Sequence, residues 1–190
     1  IARAKEATVY NEEGAIENAS KIGYPLVMKV VGPVHKSDVG GVVLGVDSNE
    51  KLIAEFNRMM DIQETTAILM QPMLSGTELF VGANFEDKFG HMILCGLGGI
   101  FIEVLKDVQQ GLVPLCESEA LSMIRGLKSY KIIEGIRGQK GINEKAFANI
   151  LLRLSALLQV APEIKELDLN PLLATGDKII AVDARIRIEK

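Results

Sequence analysis

Tryptophan is absent from this 190-residue chain, and tyrosine and cysteine occur only three times and twice. With 5% aromatics there is no ladder of rings interleaved with basic residues, so no base-stacking platform for single-stranded nucleic acid is encoded. Lysine and arginine number 21 against 25 acids, a net charge of −4 with no dense basic run, which argues against a nucleic-acid partner. Cys95 and Cys116 have no Cys or His companions at metal-ligand spacing and lie among apolar neighbours. Two buried thiols in a reducing cytoplasm are expected. No apolar run approaches the ~20 residues that span a bilayer, and no signal-peptide pattern opens the chain. The first residue is Ile1 rather than Met, which points to a piece of something longer. Two phosphate motifs are also missing. There is no GxxxxGK[ST], and Gly96-Leu97-Gly98-Gly99 is not GxGxxG and is followed by Ile100 to Val104, which reads as strand. P-loop and Rossmann sites are thereby excluded.

What remains is a globular composition, 48% hydrophobic and 24% charged. Asn11 to Ile22 reads as a helix capped by Asn11 and stopped by Gly23. Strands follow at 26–31 and 42–46, then a capped helix over 48–60. The middle is strand-rich, at 67–73, 77–84 and 91–95, with a turn at Glu86-Asp87-Lys88 and a further strand within 103–114. Helices are expected over about 118–129 and 143–159, and closing strands over 165–174 and 178–189. Strands joined by short turns outnumber helices, which predicts an α+β fold with mainly antiparallel sheets.

The closing hairpin carries the most specific signal. Thr175-Gly176-Asp177-Lys178 suits a two-residue turn with Gly176 at its first central position. Pairing outward places Leu173 opposite Ile180, Pro171 opposite Val182, Leu169 opposite Ala184 and Leu167 opposite Ile186, an apolar face. The other face pairs Asn170 with Asp183, Asp168 with Arg185 and Glu166 with Arg187. A one-residue slip would mix these faces, so their separation supports the register. Oxygen-bearing side chains at opposed positions can share a hard cation such as Mg²⁺, or form a solvated face of ordinary charge pairs. Pro171 cannot donate to a ladder, and a bulge there would disturb the pairing.

Lys29 interrupts Leu26-Val27-Met28-Lys29-Val30-Val31 and shares a face with Val27 and Val31. It is either a buried charge held against phosphate oxygens or an edge-strand lysine reaching water. The loop Val34-His35-Lys36-Ser37-Asp38-Val39-Gly40-Gly41 gathers a histidine, a cation and two glycines, a composition suited to an anion, with His35 able to serve as nucleophile or acid/base; an exposed polar loop is the plainer reading. His91, at a strand start without a ligand partner, is read as structural. Glu103 and Asp107, four apart, follow the glycine cluster and could line one cleft. Gln71 and Glu78 flank the break Pro72-Met73-Leu74-Ser75-Gly76, where a base or ribose could dock.

In order along the chain, YPLVMKV, HKSDVGGV, QPMLSGTELFVGANFEDKFG, GLGGIFIEVLKDV, EGIRG, ELDLNPLL and VDARI resemble the successive motifs of the ATP-grasp domain of ADP-forming acyl-CoA synthetases. They are more distantly similar to the beta subunit of succinyl-CoA synthetase. The resemblance covers about 11–188 and implies an ATP-grasp fold, with nucleotide between a smaller lobe of about 1–66 and a larger one of about 67–190. It implies ATP/ADP and Mg²⁺ as cofactors, with Lys29 on the phosphates, Asn170 and Asp183 as metal ligands, and Gln71, Met73 and Glu78 near adenine and ribose. His35 matches a histidine that relays phosphate to a partner, and Arg137 and Gly138 match a motif without an assigned role. The implied reaction is acyl-CoA + ADP + phosphate ⇌ carboxylic acid + CoA + ATP, through acyl phosphate and phosphohistidine. The implied enzyme is a cytoplasmic acid–thiol ligase whose CoA-binding and phosphohistidine modules lie on a partner domain or alpha subunit, so the chain alone is not expected to make thioester. It is expected to sit within an oligomer and to act on a small carboxylic acid. The pattern is departed from in a shortened start, in His91-Met92 where Gly-Pro is usual, and in Asn143 where an acid is usual. Two other readings are a catalytically silent ATP-grasp-like binding module of a protein acetyltransferase, and an amide-forming ATP-grasp ligase, which His35 and the GLGG segment fit less well.

Overall fold

The order of elements follows from where the chain alternates, where it repeats every three to four residues, and where caps intervene. A computed structural model describes residues 1–33, 39–136 and 141–189, the side chains of Ile100 and Glu103 excepted. Two compact units result. One is Ala4–Leu74, and the other joins Ile1–Arg3 to the chain from Ser75 onward.

The smaller unit contains β2 (Ala7–Val9), α1 (Glu12–Ile22), β3 (Leu26–Val31), β4 (Val42–Val46), α2 (Asn49–Met60) and β5 (Ala67–Pro72); β1 (Ala2–Arg3) belongs to the other unit. Asn11 caps α1 by accepting the Gly14 N–H at 2.8 Å, and Ser48 caps α2 by accepting the Lys51 N–H at 3.3 Å. The sheet is antiparallel in the order β2-β5-β3-β4. Its core joins Ala15, Ala19, Leu52, Phe56 and Met59 of the helices to Leu26, Met28, Val30, Ile68 and Met70 of the strands. Because strand side chains alternate, Lys29 faces away from that core.

The larger unit adds β6 (Thr77–Glu86), β7 (Gly90–Leu97), α3 (Ile100–Glu103), β8 (Val108–Leu112), α4 (Glu117–Arg125), α5 (Tyr130–Glu134), α6 (Glu144–Val160), β9 (Ile164–Thr175), β10 (Lys178–Ala181) and β11 (Arg185–Ile188). Its sheet runs β1-β10-β9-β6-β7-β8, with β11 also on β9. All pairs are antiparallel except β1 with β10. Phe147, Leu151, Leu154 and Leu158 of α6 pack with Ile124 of α4 over Leu79, Val81, Ile93, Cys95 and Leu97. Asn143, unusual by sequence, is the N-cap of α6 and accepts the Ala146 N–H at 3.0 Å. His91 is structural: it is buried and its Nε2 bonds the Ile164 carbonyl at 2.6 Å.

Five expectations change. Ile100–Glu103 is a helical turn rather than a strand, because Gly99 at φ +59 turns the chain out of the sheet and four residues are too few to show a helical period. The expected helix over 118–129 ends early, at Arg125 before Gly126, and an unexpected short helix, α5, follows it. The last expected strand divides into β10 and β11, with Val182–Ala184 out of the ladder. Cys95 is buried, and its thiol is pushed up to about 12 by that burial, but Cys116 is exposed at the N-cap of α4. The units divide after Leu74 rather than near residue 66, because β5 pairs with β2 and β3 of the smaller sheet.

Candidate functional site

In the smaller unit the informative group is Lys29. It pairs with Val42 on one side and Leu69 on the other, so β3 is an internal strand and the edge-lysine reading fails. Only 7% of Lys29 is exposed. A buried ammonium must be matched by negative or polar groups. On the same face, Gln71 of β5 stands opposite Val27, diagonal to Lys29, and is 2% exposed. Its side-chain N–H donates to the Glu6 carboxylate at 3.2 Å. Met73, just beyond β5, is half exposed and tied by its N–H to the Pro25 carbonyl at 2.9 Å. The structure thus brings Lys29 and Gln71 to one sheet face, with Met73 at the sheet's end.

In the larger unit the register expected for the hairpin holds on both sides of a gap. Lys178 pairs with Thr175, Ile180 with Leu173 and Ala181 with Leu172; beyond the gap Arg185 pairs with Asp168, Ile186 with Leu167 and Arg187 with Glu166. The turn has Gly176 at φ +58, as its two-residue loop requires. Asn170 and Asp183 fall within the gap and are not ladder partners. Equal numbers of residues separate them from the pairs Leu172/Ala181 and Asp168/Arg185, so they stand opposite each other by count. The ladder opens here because Pro171 has no N–H to give; its carbonyl still accepts the Val182 N–H at 3.1 Å. On the other side of β9 the pairing with β6 also shifts between Leu79 and Val81. Asn170 is exposed and Asp183 half-buried, its Oδ1 accepting the Ala184 N–H at 3.0 Å.

Asp168, read from sequence as an ordinary charge partner of Arg185, has more in common with this pair. It is half-buried, and its Oδ1 is enclosed without a hydrogen-bond partner. Burial pushes its carboxyl up, the Arg185 charge works against that, and nearby Asp183 adds to it. The signal available in sequence was the acid two residues before Asn170, on the same face of the strand.

Glu78 is the second residue of β6 and is exposed. Its carbonyl accepts the Gly98 N–H at 2.8 Å. A Cβ on Gly98 would lie 3.0 Å from the Glu78 Cβ, and one on Gly99 3.0 Å from its Oε2, so glycine is what lets this backbone lie against the acid. Asp107, which closes the same loop, does not face a cleft with Glu103 as its spacing allowed. It is buried, and its Oδ1 and Oδ2 accept the N–H groups of Lys128 at 2.9 Å and Ser129 at 2.7 Å. Burial alone would raise its carboxyl, but these donors hold it below the ordinary carboxylate range. Of Glu103 the backbone alone is described. His35 and Lys36, and likewise Arg137 and Gly138, lie outside the described residues.

The ATP-grasp domain family matches residues 1–188 of this sequence. The chain belongs to the ATP-grasp family. This ATP-grasp chain is 41% identical over 186 residues to the beta subunit of the ADP-forming acetate–CoA ligase I of Pyrococcus furiosus, covering 93% of the chain and 80% of that subunit. It is 42% identical over 189 residues to the ADP-forming acetate–CoA ligase II of Archaeoglobus fulgidus, covering 98% of the chain but 28% of that longer protein. A solved acetyl-coenzyme A synthetase from Ca. Korarchaeum cryptofilum superposes with a TM-score of 0.86 at 34% identity, covering 100% of the chain and 86% of the solved one. That structure holds coenzyme A and Mg-AMPPCP, with a phosphohistidine segment pointing towards its nucleotide-binding site. These relatives are ligases, and none of them favours the reading as a silent acetyltransferase module.

The ATP-grasp residues fit a magnesium nucleotide on their own chemistry. Asn170, Asp183 and the orphaned Asp168 oxygen offer hard oxygen donors only, as Mg²⁺ requires. Among the described residues no group of three or more His, Cys, Asp or Glu forms a closed metal cage. A cation there would complete its shell from water and phosphate oxygens, which is how nucleotide-bound magnesium is usually held. Among the described residues no helix is long and apolar enough to cross a membrane.

Proposed function

We propose that this ATP-grasp domain handles the nucleotide of an ADP-forming acyl-CoA synthetase, moving a phosphoryl group between ADP or ATP and a histidine carried by a partner polypeptide. The observation that carries this reading is the opened rung of the β9 ladder, with Asn170 opposite Asp183 and the partnerless Asp168 oxygen two residues away. Magnesium bound there would offset charge on the phosphates and fix their orientation. Asn170 and Asp183 are its ligands in this reading. Lys29, fixed by an internal strand, is a point charge on the phosphate oxygens, where negative charge gathers as phosphorus moves in line. Gln71, Met73 and Glu78 border adenine and ribose.

The net change is acyl-CoA + ADP + phosphate ⇌ carboxylic acid + CoA + ATP. Acyl phosphate forms as phosphate displaces CoA. Its phosphoryl group passes to a histidine nitrogen, releasing the acid, and then to the terminal oxygen of ADP, the P–N bond breaking as the P–O bond forms. His35 relays the phosphoryl group within this chain. The CoA-binding and phosphohistidine modules belong to an alpha subunit or to a fused domain, as the 28% coverage of the longer relative suggests. The acid is small, the assembly oligomeric and the setting cytoplasmic.

The test is to combine the chain with its partner region and follow ATP formation from ADP, phosphate and acyl-CoA. ATP formation that requires both parts is expected; nucleotide binding without any ATP formation would sink the catalytic reading. Acid-labile phosphate labelling of the chain should vanish in His35→Asn, and labelling that persists would reject the relay role.

A further inference from the structure

Between the glycines and β8, the larger unit makes an excursion whose tip holds two adjacent aliphatic side chains in water. Val104 is 72% exposed and Leu105 57%. Single exposed aliphatics are common and need no explanation, but this pair stands on a tip strapped at both ends. At one end the Gly98 N–H is bonded to the Glu78 carbonyl, the Ile102 N–H to the Gly99 carbonyl at 3.2 Å, and Phe101 packs against the main core. At the other end the Asp107 carboxylate takes the Lys128 and Ser129 N–H groups, and its own N–H returns to the Phe101 carbonyl at 3.2 Å. Lys106, between pair and strap, is exposed and has a left-handed φ of 48°, uncommon for a residue with a side chain. The pair is therefore held outward by the fold.

We propose that this tip is the docking point for the extended partner segment that carries the phosphorylated histidine, an inference that rests on the function proposed above. Three observations select that occupant. The tip belongs to the loop that begins at the Gly98-Gly99 backbone, and that backbone lies against Glu78, a residue assigned to the nucleotide. The Korarchaeum relative has a phosphohistidine segment pointing towards its nucleotide site, and such a segment needs a surface beside that site to rest on. The surface offers two aliphatic groups next to an exposed lysine, which matches a polypeptide with apolar side chains flanking a phosphate better than it matches a nucleotide.

The experiment uses the chain together with its partner polypeptide and compares wild type with Val104→Ser/Leu105→Ser, and with Leu105→Met as the conservative control. Melting temperature, ADP affinity in the presence of Mg²⁺, and ATP-dependent labelling of the partner histidine are measured. Removing both contacts should raise the partner concentration needed for half-maximal labelling roughly 30-fold, with melting and ADP affinity unchanged and Leu105→Met near wild type. Labelling that is unchanged in the double variant overturns the docking role. So does an equal fall in ADP affinity and labelling, which would mean that the tip closes on the nucleotide itself. A wild-type chain that binds no nucleotide removes the proposed function, and this inference with it.

Discussion

In the smaller unit Lys29 stands on an internal strand, paired on both sides and 7% exposed, whereas in the larger unit Asn170 and Asp183 stand where the ladder has come apart. Regular pairing suits a cation that must be fixed and partly stripped of water before it meets phosphate, because a charge held in a low-dielectric wall acts more strongly than one in solvent. An opened rung suits ligands for an exchangeable ion. Pro171 has no N–H to give to the ladder there, and Asn170 beside it is exposed to water. The two units thus present their polar side chains by contrary means, one on an internal strand and one where Pro171 interrupts a ladder.

The sharpest way to break this contrast is Lys29→Met, which keeps the shape of a buried strand residue and removes only the charge. Phosphoryl transfer to the partner histidine should fall about 10²–10³-fold in a variant that still folds, as circular dichroism checks. Transfer at the wild-type rate would leave Lys29 a purely structural residue. Asn170→Ala or Asp183→Asn should weaken magnesium-dependent ADP binding about 10–100-fold, read by titration calorimetry at several Mg²⁺ concentrations. Affinity for ADP without the metal should barely change, and a loss of the same size without Mg²⁺ would place these residues outside the metal site.

Smaller effects separate the site from its scaffolding. Asp107→Asn should cost about 1–2 kcal/mol at neutral pH, since the buried carboxylate holds two backbone N–H groups. Its carboxyl sits below the ordinary range in the folded state, so its contribution is present above about pH 5 and fades as pH falls towards the folded value. Urea unfolding of wild type and variant should therefore converge in acid. Last, Asn143→Ala should cost about 1 kcal/mol by removing the cap of α6, visible as a lowered melting temperature with no change in ADP affinity.

Much of this was open to reading in one dimension. Asn11, Ser48 and Asn143 each cap a helix, and the clean separation of apolar and polar faces around Thr175 to Lys178 located the hairpin pairs to the residue. The helical turn at Ile100–Glu103 was not readable, because β-branched residues speak for strand locally while Gly99 and the Glu78 carbonyl decide the path. Asp168 was legible as a charge but not as an orphan: its partner Arg185 is visible in the register, and the enclosure of its second oxygen is not. The exposure of Cys116 depends likewise on where α4 begins relative to the core.

Sequence alone determined the period of each segment, the caps that end it and the order in which chemically apt residues occur, because these depend on neighbours a few positions away. Tertiary structure alone decided that Lys29 lies on an internal strand, that the ladder opens at Pro171 rather than merely bending, and that Val104 and Leu105 are held out in water. Each of those turns on which strands and loops lie alongside, and contacts between residues far apart in the chain are not written in its local pattern.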